Sequence, residues 1–152
     1  MAEDQLGAVI RAHLYVEAQV NRLLDALIPY PEHLGEMRLN WGQRVELVLA
    51  MGLKPQYGPP LKALGRIRNK FAHNPEAELN DEDVNELYGS LADEDRQIVL
   101  ESFERTKPQV PDPVKGGFRD LEIKSQLTLI VVALHALLLV ALTEAGGQLP
   151  ST

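Results

Sequence analysis

Apolar residues recur at helical spacing along most of the chain. Ile10, Leu14, Val20, Leu24, Leu27 and Ile28 predict a first helix from near Leu6 to Ile28, closed by Pro29 and Pro31. A short helical turn is expected at Glu32–Met37. Asn40 is placed to cap a second helix carrying Val45, Leu47, Val48 and Met51 as far as Gly52. Lys54–Pro60 reads as a loop with three prolines and a glycine. A third helix begins at Pro59-Pro60, since proline suits a first turn, and its stripe is Leu61, Leu64, Ile67 and Phe71. Asn74-Pro75 stops it. Asn80 or Asp81 caps a short helix through Tyr88, and Asp93 caps another to about Arg105. Lys107–Gly117 is a loop, and a last helix spans about Arg119 to Ala145, ending at Gly146-Gly147. Strand-like alternation of useful length is lacking, and so are internal repeats. The pattern predicts one all-α domain over residues 1–152, an antiparallel helical bundle with a long apolar C-terminal helix.

That last helix is nearly all apolar from Leu127 to Leu142, broken only by Thr128 and His135. The run falls short of the roughly 20 residues of a membrane span, and it carries a central histidine. An all-round apolar helix must be covered, either inside a bundle or against a second subunit. The expectation is a soluble protein off the membrane, with part of this helix in a homodimer interface.

Composition narrows the function. The 152 residues include no cysteine, which excludes disulfides and thiolate metal sites and suits a cytoplasmic location. The Met-Ala-Glu-Asp-Gln start lacks the basic and apolar segments of a signal peptide. The net charge of −7 argues against a general nucleic-acid coat protein. Charge is unevenly spread, however. Leu47–Pro75 holds no acidic residue but has Lys54, Lys62, Arg66, Arg68 and Lys70, whereas Glu76–Glu104 holds eleven acidic residues and only Arg96 as a base. Two readings are open: a basic patch that attracts phosphate, or two solvated helix faces.

The candidate chemistry lies in Arg68-Asn69-Lys70-Phe71-Ala72-His73. Histidine moves protons near neutral pH, and arginine grips phosphate with a planar fork. On a regular helix Arg68 borders the buried stripe and His73 points about 140° away. Both can serve one phosphate only if the helix loosens before His73 or if a second subunit supplies the partner. Structural roles are open too: Arg68 pairing with Glu17, and His73 capping the last carbonyls.

Arg-Asn-x-x-Ala-His near a helix end resembles the signature of the HEPN superfamily. Trp41-Gly42-Gln43-Arg44-Val45, Leu49-Ala50-Met51-Gly52-Leu53 and Leu61 through Asn74 resemble its branch related to the mannitol operon repressor, MltR. Ala12-His13-Leu14-Tyr15-Val16-Glu17 in the first helix fits as well, so the likeness covers about residues 6–75. The resemblance implies a dimeric, metal-independent endoribonuclease of toxin or defence type. In that reading His73 is the general acid/base, Arg68 stabilises the phosphate, Asn69 positions an oxygen or orients His73, and Glu17 holds either one. Lys62, Arg66 and Lys70 are the candidate RNA-binding residues, and no cofactor is expected. The MltR-like branch implies instead a non-catalytic transcriptional regulator or adaptor acting through a protein partner, an antitoxin in the toxin setting. A helix-turn-helix with a basic recognition helix is not found, so no specific DNA contact is expected.

His13 and Glu17, one helical turn apart, form a potential metal pair for which the sequence places no third ligand. The acidic triplets Asp81–Asp83 and Asp93–Asp95 lack the glycine and distal glutamate of a calcium loop and read as helix starts.

Overall fold

A computed structural model describes residues 2–107 and 116–146. Among these the chain is all helical, with no strand. The first helix, α1 (Ala2–Leu27), is followed by a short 3-10 turn (Pro31–His33), α2 (Leu34–Met37) and α3 (Trp41–Ala50). Another 3-10 turn (Pro55–Tyr57) leads into α4 (Gly58–His73), α5 (Asp81–Ser90) and α6 (Asp93–Thr106). A last 3-10 turn (Phe118–Asp120) precedes α7 (Ile123–Glu144). Most of the expected Lys107–Gly117 loop lies outside the described residues, as does Gly147.

Local signals set most boundaries. Asn40 caps α3 reciprocally with Gln43: Gln43 N donates to Asn40 Oδ1 (2.9 Å), and Asn40 N donates to Gln43 Oε1 (3.0 Å). Asn80, not Asp81, does the same for α5 with Asp83 (2.9 and 3.1 Å). Asp93 is not a cap: α6 starts on Ala92 without a side-chain cap bond, and Asp93 is its first residue. The Lys54–Pro60 segment is not all loop, because Pro55 fixes the backbone that opens a 3-10 turn. Arg38, in the left-handed region at φ 51°, ends α2 and turns the chain toward Asn40.

α1 runs along α7 and also meets α3 and α4, while α7 also packs on α5 and α6. Val9, Val16, Val20, Leu23 and Leu24 of α1 are buried with Leu61, Leu64, Ile67 and Phe71 of α4. From α7, Leu127, Ile130, Leu134, Leu138 and Leu142 join the same core. Side chains of this kind contribute about 1.5–3 kcal/mol each when fully buried.

α7 is not covered on all sides. Val132 and Val140 are 56% and 57% exposed. It begins at Ile123 rather than near Arg119, because Phe118–Asp120 form a separate 3-10 turn and Leu121 takes an extended backbone (φ −68°, ψ 154°). It is the one described helix long and apolar enough to cross a membrane, and 44% of its most apolar window is buried in the fold.

The uneven charge is resolved inside the chain. The acidic stretch folds back on α4: Arg66 pairs with Glu86 (Nη2–Oε1 2.5 Å, Nε–Oε1 2.7 Å), and Lys70 pairs with Asp83 (2.6 Å) while also donating to the Glu78 carbonyl (2.8 Å). Lys62 pairs with Glu46 of α3. Much of the basic patch is thus a set of interhelical ion pairs.

Candidate functional site

α4 is regular through His73. Asn74 N still donates to Lys70 O (3.1 Å), and Asn74 alone takes the extended backbone (φ −140°, ψ 96°) that a following proline demands. The helix does not loosen before His73. Arg68 and His73 therefore stay about 140° apart around the axis and about 7.5 Å apart along it. One chain does not bring them together.

Arg68 is half-buried and borders an open groove of about 1020 Å³ between α3 and α4. Trp41, Gln43 and Leu47 line the groove on the α3 side; Lys62, Gly65 and Asn69 line it on the α4 side. Arg68 Nη1 donates to Asn69 Oδ1 (3.3 Å). Lys62, Arg66 and Lys70 each hold a carboxylate. Among the described residues, Arg68 is the one lysine or arginine of α4 with no carboxylate within 4 Å. His73 is exposed at the helix end, and among the described residues its side chain makes no hydrogen bond. Neither structural role open to the pair is taken up: Arg68 does not pair with Glu17, and His73 does not cap a carbonyl.

Glu17 is committed elsewhere. Its Oε2 lies 3.4 Å from Nδ1 of His13, which is 1% exposed. The His13 ring meets the Trp41 indole edge-on, with centroids 4.6 Å apart. Trp41 Nε1 donates to the Leu61 carbonyl (2.9 Å). Trp41 lies so close to α4 that a Cβ at Gly65 would stand 2.5 Å from its Cδ1. His13, Trp41 and Gly65 thus form a packed unit behind Arg68. Sequence periodicity does not flag it, because a glycine–indole contact leaves no repeating trace. Among the described residues no three His, Cys, Asp or Glu side chains gather as a metal site would need.

Among the described residues, His13 Nε2 and Gln19 Oε1 are buried without a hydrogen-bond partner. Burial, and then the Arg68 charge, hold His13 below its ordinary value of 6.5, against the pull of Glu17. Burial, and then Arg22, likewise lower His135, whose Nε2 accepts from Gln19 Nε2 (3.0 Å). Both histidines therefore take up a proton less readily in the folded state than in the unfolded chain, where they titrate near 6.5. The stability they contribute is complete above that pH and is lost as pH falls through it toward their lower folded values. Urea midpoints are expected to fall between pH 7.5 and pH 5, and His13→Gln should flatten that slope. An unchanged slope in the variant would show that His13 does not carry it.

Comparison with known protein families, characterised proteins and solved structures finds no match to this chain.

Proposed function

We propose that this chain is a HEPN-like protein of the cytoplasm that acts as a homodimer and cleaves RNA without a metal ion, in a toxin or defence setting. The observation that supports this reading is the unspent Arg68. It is the arginine of the motif, it borders a groove, and among the described residues it holds no carboxylate, while its neighbours Lys62, Arg66 and Lys70 do. RNA reaching those three must displace a carboxylate; at Arg68 it need not.

Each chain presents half a site. The α4 face between Arg68 and His73 carries exposed Asn69 and Ala72, with Gly65 on the same line beneath Trp41. Consider a second α4 laid along this face by a twofold axis near-parallel to the helix. Arg68 of one chain and His73 of the other then share one side of the seam, offset by about 7.5 Å. A phosphate group fits between a guanidinium and an imidazole at that spacing. His73 then accepts the 2′-hydroxyl proton or returns one to the leaving 5′-oxygen, and Arg68 stabilises charge on the phosphorane.

RNA cleavage in EDTA tests the reading. Wild type is expected to cleave, and His73→Ala to lose about 10²–10⁴ of the rate, the usual worth of a general acid/base. Cleavage by both alike, or by neither, removes the catalytic assignment. A non-catalytic adaptor of the MltR-like kind is the second reading, favoured by the apolar residues that α1 and α7 leave in solvent.

A further inference from the structure

Five large apolar side chains are exposed on α1 and α7: Ile10, Leu14, Tyr15, Val132 and Val140. Three of them, Leu14, Tyr15 and Val132, line a continuous feature. Between the two helices lies a hollow of about 560 Å³, and a second of about 330 Å³ continues it toward Val132. Arg11 and Tyr15 line both hollows. The floor of the larger one is His135 with buried Gln19, and Tyr15 stands edge-on to His135 with centroids 6.1 Å apart.

The charged side chains that line the two hollows are Arg11, Arg22 and Lys124. Arg11 and Arg22 close the two ends of the larger hollow, and among the described residues no carboxylate lines either hollow. Among the described residues, neither arginine has a carboxylate within 4 Å. Lys124, on the smaller hollow, is paired with Asp4. Eleven residues separate the two arginines. That is three turns plus about 20°, so both project from one line of α1, about 16.5 Å apart. Leu14, Tyr15 and Ala18 lie between them on the same face.

We infer that the α1–α7 groove docks an acidic amphipathic helix from a partner protein, with its apolar stripe on Leu14, Tyr15 and Val132 and two carboxylates reaching Arg11 and Arg22. The helix-in-groove mode needs an apolar trough with matched charges at its rim, and both are here. A second copy of this chain fits poorly. Pairing α1 with itself over this groove sets guanidinium against guanidinium whether the helices run parallel or antiparallel. A lipid surface fits poorly as well, because the feature is concave and the whole chain carries −7. The inference is independent of the nuclease reading, since it uses none of the Arg68–His73 segment.

The test uses a fluorescent synthetic amphipathic helix with leucines at i, i+3 and i+7, flanked by glutamates eleven residues apart. Its counterpart carries lysines at those positions. Binding is read by anisotropy, with circular dichroism to confirm that the variant folds. The glutamate peptide is expected to bind wild type and to bind Arg11→Glu/Arg22→Glu about tenfold more weakly, while the lysine peptide gains affinity for that variant. Glutamate-peptide binding that is equal for both proteins, or absent, overturns the inference. So does wild-type binding to phosphatidylglycerol–phosphatidylcholine vesicles that the double variant loses, which would assign the face to a membrane. A wild-type dimer that becomes monomeric on Leu14→Asp also overturns it, by assigning the face to a second copy.

Discussion

Arg68→Ala is expected to lower RNA cleavage in EDTA by about 10²–10³ while changing folding stability by no more than about 1 kcal/mol. The two halves of that result come from one observation. Among the described residues Arg68 has a single side-chain hydrogen bond, to the adjacent Asn69 at 3.3 Å, and no carboxylate partner. Removing it therefore strands no buried charge. An arginine that locked α4 to α1 through Glu17 would behave differently, since breaking a buried pair costs about 3–5 kcal/mol. Glu17 is already held by His13, so that cost does not arise. Urea unfolding and a cleavage assay on the same preparation separate the two outcomes. A large loss of stability with unchanged cleavage would return Arg68 to a scaffold role.

Gly65→Ala should destabilise the fold by about 1–3 kcal/mol, the usual cost of forcing atoms into a filled site. The added methyl would stand 2.5 Å from Trp41 Cδ1 and 2.7 Å from Nε1. The indole must move, which strains its bond to the Leu61 carbonyl and its contact with His13. The groove beside Arg68 is disturbed with it. Helix propensity pulls the other way by up to about 1 kcal/mol, so the net sign is informative. Gly89 of α5 supplies the control, because a Cβ there meets nothing within 4 Å. Gly89→Ala should leave stability unchanged or raise it by up to about 1 kcal/mol. Similar thermal shifts for the two variants would mean that Trp41 is not held against α4.

The helices were legible wherever their signals are local. Asn40 and Asn80 reach backbone donors three residues on, and the prolines before Leu61 start α4. Interactions across longer separations were not legible. The ion pairs of Arg66 with Glu86 and Lys70 with Asp83 join residues 20 and 13 positions apart, so the sequence shows two charged runs without showing that they meet. α7 is a third case. Its composition is almost uniformly apolar, so no periodicity distinguishes Leu134 in the core from Val132 in solvent.

The candidate site was legible as a list of residues and less so as an arrangement. Asn74-Pro75 marks the end of α4 correctly, but its effect stops at Asn74 because proline constrains only the residue before it. His73 keeps its helical direction, and the loosening that would have united the motif within one chain does not occur. The half-buried setting of Arg68 follows from its place beside the Leu64 stripe. Its lack of a carboxylate depends on where Glu17, Glu46, Glu86 and Asp83 settle in three dimensions.

The most direct measurement mixes the two inactive variants. Arg68→Ala and His73→Ala chains, exchanged into mixed dimers, should recover about a quarter of wild-type cleavage, because half of the dimers are mixed and each has one of its two shared sites intact. Recovery to that level, with both variants inactive alone, is the expected result. Mixed dimers that stay inactive, or single variants that cleave like wild type, would contradict a site built from Arg68 of one chain and His73 of the other.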